Sequence, residues 1–316
     1  MNPKSDSKNA FYNTLGTFFY FFCQWLLTIF VVRLSGYRDA GIFSLCVSIT
    51  NIFYCIALYG MRNYQISDIQ HKFTDKEYFY VRSLTIVISL ILFGIILHFL
   101  GLPRYTTICV SLYMIYKVEE AYSDLLFAYN QIYDQYRKIA ISYICKGIGT
   151  LLFFIVVLKL TKGLALTILS NVAIYGIILV FYDYFGVKKR LNTAGDFSKG
   201  RFILSICFPL MVYSGLVPYV NFITRYCVEI RFGTTELGYY SSVTMVFAVL
   251  NTLMNSIFVT IIPNVTRMYY ERSLDKIRVF IKRIIIFCIG LLAISMILVY
   301  FFADFIFGII FGAEII

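Results

Sequence analysis

A chain of 316 residues that is 60% apolar and only 14% charged is too apolar for a single soluble core, since soluble domains carry about 25% charged residues. Its formal net charge of +11 does not indicate a nucleic-acid partner, because the basic residues sit in short segments between apolar runs, as membrane topology demands. The composition predicts an all-α, polytopic membrane helix bundle counted in runs of about 20 residues; a β-barrel would show alternating segments instead.

The polar start, MNPKSDSKNA, reads as a cytoplasmic N-terminus over residues 1–10. The run Phe11–Val32 is too long for a signal-peptide core and no small-residue cleavage site ends it, so it reads as a first helix that stays attached. Further runs follow at Gly41–Met61, Ser83–Leu100, Tyr105–Ala128, Ile139–Leu158, Gly163–Tyr182, Phe202–Thr224, Gly238–Ile262 and Ile284–Phe302, and a tenth begins at Phe305. The first six make an N-terminal lobe over 11–183. A basic cytoplasmic linker covers 184–201, and a partial C-terminal lobe covers 202–316. With the N-terminus inside, 19 of the 28 Lys and Arg residues fall in inner segments and 7 in outer loops. Lys117 and Lys146 lie within spans. That bias sets the orientation.

Two stretches repeat. GYRDAGIFS, Gly36 to Ser44, and GTTELGYYS, Gly233 to Ser241, both fit G-x-x-[DE]-x-G-x-[FY]-S at an offset of 197 residues. DKEYFYVR from Asp75 and DKIRVFIK from Asp275 echo each other at an offset of 200. Six spans separate the copies, so both keep one orientation, as in transporters with parallel repeats about an axis along the membrane normal. The spacing predicts about three more helices beyond residue 316, making the chain shorter than its functional relatives.

The fourth run, LYMIYKVEEAYSDLL, carries Lys117, Glu119, Glu120 and Asp124 where hydrocarbon is expected. A charge at mid-bilayer costs about 2.5–3.5 kcal/mol on insertion scales, so most of these side chains must face inward. Tyr113, Lys117, Glu120 and Asp124 recur on one helical face, and Lys146 in the next run is expected to face the same interior. Three readings follow. Either the lysines neutralise Glu120 and Asp124 and lock two helices together, or they are anion contacts in a wet cavity between two bundles, or the charges snorkel to the interface, with Asp124 near the inner surface. Pro209, Gly215 and Pro218 interrupt the seventh run and mark it as a hinge candidate.

The eight cysteines form no C-x-x-C and fall in apolar runs, which predicts packing rather than metal or disulfides. There is no phosphate-binding loop for ATP, and no cofactor is implied. The Asn264-Val265-Thr266 triplet lies on the inner side and carries no meaning as a glycosylation acceptor.

Four places resemble the Wzx-type polysaccharide flippases of the multidrug/oligosaccharidyl-lipid/polysaccharide exporter superfamily. They are the Gly36 loop with its echo at Gly233, the stretch Val118 to Phe154, the stretch Ile261 to Arg283, and FGAE at Phe311 to Glu314. The second holds Glu120, Asp124, Gln131, Lys138 and Lys146-Gly147 in the family's order. The resemblance implies twelve or fourteen helices in two bundles around a central cavity. It also implies movement of an undecaprenyl-diphosphate-linked oligosaccharide across the bacterial cytoplasmic membrane, without enzymatic chemistry. In that frame Lys117 and Lys146 contact the diphosphate, Arg62 and Arg225 guard the two mouths, and Glu120 or Asp124 carries a coupling proton or sodium ion. The abundant tyrosines suit a sugar or an interfacial belt. The rival expectations are a cation-coupled multidrug exporter of the same superfamily, a lipid II flippase, and a membrane glycan polymerase or ligase. The last would need a large outer loop that this sequence lacks.

Overall fold

A computed structural model of the chain describes residues 3–68, 72–187 and 200–244, with scattered positions between 282 and 296. Among the described residues all regular structure is helical. The elements are α1 (Pro3–Ser35), α2 (Tyr37–Leu58), α3 (Met61–Ser67), α4 (Asp75–Phe99), α5 (Arg104–Ile132), α6 (Tyr136–Thr161), α7 (Leu164–Ile178), a π-helical turn (Leu179–Tyr184), α8 (Phe185–Val187) and α9 (Gly200–Phe232). The chain divides into two compact units, Met1–Gly238 and Tyr239–Ile316. In the second, residues 239–244 are helical. The first unit holds everything that follows.

Among the described residues, six helical segments are long and apolar enough to cross a membrane: Thr14–Ser35, Tyr37–Ile66, Asp75–Phe99, Tyr136–Thr161, Leu164–Val187 and Gly200–Phe232. Their exposed side chains include Val87, Ile91 and Ile95 on α4 and Leu152 and Val156 on α6, an apolar surface that suits lipid and not water. The chain is a multi-pass membrane bundle. α5, at 29 residues, is also long enough to span, and its charges lie in its middle. The eighth, ninth and tenth apolar runs, the Asp275 echo, and the Ile261–Arg283 and FGAE stretches fall wholly or mostly outside the described residues.

Local sequence sets the ends of these helices. Thr74 and Glu77 form a reciprocal capping box at the start of α4: the Thr74 hydroxyl accepts from the Glu77 amide at 3.3 Å and the Glu77 carboxylate from the Thr74 amide at 2.7 Å. Two consecutive left-handed residues, Tyr59 (φ 52°) and Gly60 (φ 63°), break the second apolar run between α2 and α3. Hydropathy reads straight through this break. A β-carbon on Gly60 would stand 2.6 Å from Leu210 Cβ, so glycine serves both the turn and the seat of α9.

α5 packs against α2, α4, α6 and α7, which shield its charges. α1 lies along α6, and small residues let the two backbones approach. A β-carbon on Gly16 would stand 2.6 Å from Ala140 Cα, and one on Gly147 would touch Cys23 and Tyr20. α9 runs antiparallel to α2, with Ser214 at Cys55, Leu210 at Gly60 just past α2, and Thr234, just past α9, at Gly41. Gly16→Leu is therefore expected to lower stability by about 1–3 kcal/mol through overpacking, seen as a lower Tm in detergent. Gly94→Leu, where a side chain meets open space, should leave Tm unchanged; equal effects at both positions would contradict the α1–α6 packing.

Candidate functional site

The charges of α5 are held by residues from five other elements. Asp124 is bracketed by two guanidinium groups. Arg62 Nη1 donates to Oδ1 at 3.0 Å and Arg82 Nη2 donates to Oδ2 at 3.0 Å. Arg62 also donates from Nη2 to Gln131 Oε1 at 3.0 Å, and Arg82 from Nη1 to the Ala57 carbonyl at 3.0 Å. The two arginines differ in exposure: the Arg82 side chain is 0% exposed, Arg62 is 22% and Asp124 17%. Two guanidinium groups thus share one carboxylate.

Lys117 Nζ donates to Glu120 Oε2 at 2.7 Å and lies 4.8 Å from the centre of the Tyr54 ring. The Tyr20 hydroxyl lies 3.1 Å from Glu120 Oε1 and 2.8 Å from the Tyr116 hydroxyl. Both Tyr20 and Tyr116 are buried and serve the carboxylate rather than an open surface.

Lys146 is fully buried between the rings of Phe127 and Tyr175, at 4.9 and 4.3 Å. Its ammonium donates to Ser123 Oγ at 2.6 Å and pairs with Asp183, itself buried. The π-helical turn after α7 carries Asp183; such turns shift the register of a helix by one residue. Glu119 occupies a notch at Gly176, where a β-carbon would stand 2.6 Å from Oε1, and its Oε2 is buried without a hydrogen-bond partner.

These contacts revise the pairing read from the sequence. Lys117 does meet Glu120. Asp124 goes to Arg62 and Arg82 instead of a lysine, and Lys146 goes to Asp183. In this conformation Lys146 is dry and neutralised, so it is not open to an anion. Arg62, three residues after Tyr59, contacts Asp124 and Gln131, and Arg225 lies half-buried in the last third of α9. Pro209 and Pro218 lie inside one continuous α9, with open space around Gly215. Pro218 cannot donate to the Ser214 carbonyl four residues earlier, and the Cys55 thiol donates to that carbonyl at 3.4 Å. Arg82 and Asp183 went unread in the sequence because each sits at the edge of its hydropathy run. The Thr74 capping box is the one signal that places Arg82 two turns inside a helix. Among the described residues no group of three or more His, Cys, Asp or Glu side chains could hold a metal ion.

The chain is similar to the capsular polysaccharide biosynthesis protein CapF of Staphylococcus aureus, 24% identical over 298 residues, covering 92% of this chain and 74% of the relative. No family model matches the chain, and no solved structure matches it.

The Lys146–Asp183 pair should behave as a structural anchor. Lys146→Met alone strands a buried carboxylate and is expected to cost about 3–5 kcal/mol, while Lys146→Met combined with Asp183→Leu recovers most of that loss. Thermal unfolding in detergent reads both; a double variant no more stable than the single would contradict the pairing.

Proposed function

We propose that this chain moves a polyprenyl-diphosphate-linked oligosaccharide from the inner to the outer leaflet of the cytoplasmic membrane, by alternating access of two helix bundles, without chemical change to its cargo. The relative's name places that protein in capsular polysaccharide biosynthesis, which supports a cell-surface glycan as the cargo. The N-terminus lies in the cytoplasm in this reading, as the Lys and Arg distribution supports.

One observation carries the proposal: of the two arginines on Asp124, one is fully buried and the other partly exposed. A diphosphate cannot cross hydrocarbon without cationic partners. Arg62 can turn from Asp124 to a phosphate without stranding a buried carboxylate, because Arg82 stays behind on the Ala57 carbonyl and Asp124. The guanidinium fork then meets phosphate oxygens in a bidentate geometry. Lys117 can follow, since Glu120 keeps its contact with Tyr20. Glu120, on losing Lys117, or Asp124, on losing one of its two arginines, becomes a place for the coupling proton or sodium ion. Lys146 stays out of the exchange, held by Asp183 and Ser123.

The multidrug reading has one observation in its favour, the partnerless oxygen of Glu119. The two readings part in experiment. Arg62→Ala and Lys117→Ala are each expected to lower glycan export at least tenfold with unchanged protein in the membrane, and Arg62→Lys to retain part of it. Export at the unsubstituted level in Arg62→Ala would overturn the assignment. Drug efflux that survives Arg62→Ala and vanishes in Glu119→Gln would favour the multidrug reading.

A further inference from the structure

The two copies of the G-x-x-[DE]-x-G motif meet. Each opens on a left-handed glycine, Gly36 at φ 85° and Gly233 at φ 92°. In each, that glycine's amide donates back four residues, Gly36 to the Val32 carbonyl at 3.0 Å and Gly233 to the Glu229 carbonyl at 2.9 Å. In each, its carbonyl accepts from four residues on, Ala40 at 3.2 Å and Leu237 at 3.1 Å. The copies are thus the same junction, one helix ending and the next beginning across one residue.

Their contact is reciprocal. A β-carbon on Gly41, the sixth position of the first copy, would overlap the carbonyl oxygen of Thr234, the second position of the second copy. A β-carbon on Gly238, the sixth position of the second copy, would overlap the carbonyl oxygen of Tyr37, the second position of the first. Position two of each copy therefore lies on position six of the other. A two-fold axis between like-oriented repeats gives this reciprocal relation. The seats are backbone on backbone, which only glycine allows. Such contacts rest on weak Cα–H···O interactions and close packing rather than on ion pairs, so they can part and re-form.

We infer that this reciprocal glycine contact is a clasp closing the outer side of the molecule, and that it opens when the two repeats part. The inference rests on the reading of two bundles in alternating access, and not on the identity of the cargo. The α2–α9 seam leads away from it through contacts of the same reversible kind, the Cys55 thiol on the Ser214 carbonyl and Leu210 on Gly60.

The third positions of the two copies, Arg38 and Thr235, are exposed and offer label sites. The full chain, with the exposed native thiols Cys145 and Cys227 replaced by serine, carries Arg38→Cys and Thr235→Cys, spin-labelled in lipid nanodiscs. Electron–electron distance measurements should give one dominant short distance. Gly41→Ala and Gly238→Ala should each move at least half of the population to a longer distance, while Gly94→Ala, with open space around it, should not. With the native glycines in place, a short thiol-reversible cross-link between positions 38 and 235 should stop flipping of undecaprenyl-diphosphate oligosaccharide in liposomes, and reductant should restore it. Unchanged distances in both alanine variants, or full flipping while cross-linked, would overturn the clasp. Distances that shift as expected in a protein that never flips this cargo would uphold the clasp and count against the proposed cargo.

Discussion

The expense of keeping charge inside hydrocarbon governs this molecule. At mid-bilayer each unpaired charge costs about 2.5–3.5 kcal/mol on insertion scales, and α5 carries four ionisable groups within eight residues. Partners reach two of them from other helices, Arg62 from α3 and Arg82 from α4 for Asp124 and Tyr20 from α1 for Glu120, while Lys117 pairs with Glu120 within α5. The arrangement of helices around α5 is the arrangement that satisfies those charges. Buried ion pairs add little net stability against an apolar alternative, yet removing one partner is severe. They therefore select one packing among several rather than strengthening it.

Exposure divides the network into two classes. The Arg82, Lys146 and Asp183 side chains are almost wholly buried, whereas Arg62, Asp124, Lys117 and Glu120 are partly exposed. A dry pair resists rearrangement, because separating it leaves a charge without either solvent or partner. A pair with some access to water can exchange partners at lower cost. The same helix thus holds fixed ties and exchangeable ones, and the exchangeable ones suit a passing anion.

Among the described residues the helices are legible in the sequence, because runs of about 20 apolar residues are the dominant signal in such a chain. The inward face of α5 was also legible from helical spacing and the cost of charge. The partners across helices were not. Spacing along one helix fixes a face but says nothing of which side chain arrives from another element, so Asp124 was matched to a lysine when two arginines hold it. Hydropathy also ends a run where charge begins, although the helix continues; this hid Arg82 in α4 and Asp183 in the π-helical turn. The Tyr59-Gly60 break went unread because apolar residues flank it on both sides. The repeat was visible as a pattern, while the mutual seating of its two copies required coordinates.

The central claim is that Arg62 is the exchangeable partner of Asp124 and Arg82 the fixed one. Side-chain nitrogen NMR of the two guanidinium groups, in the full chain in nanodiscs titrated with undecaprenyl diphosphate, tests it most directly. The account predicts that the Arg62 resonances move with saturation while those of Arg82 stay in place. Resonances of Arg62 that remain fixed through a saturating titration, or that move no more than those of Arg82, would contradict it.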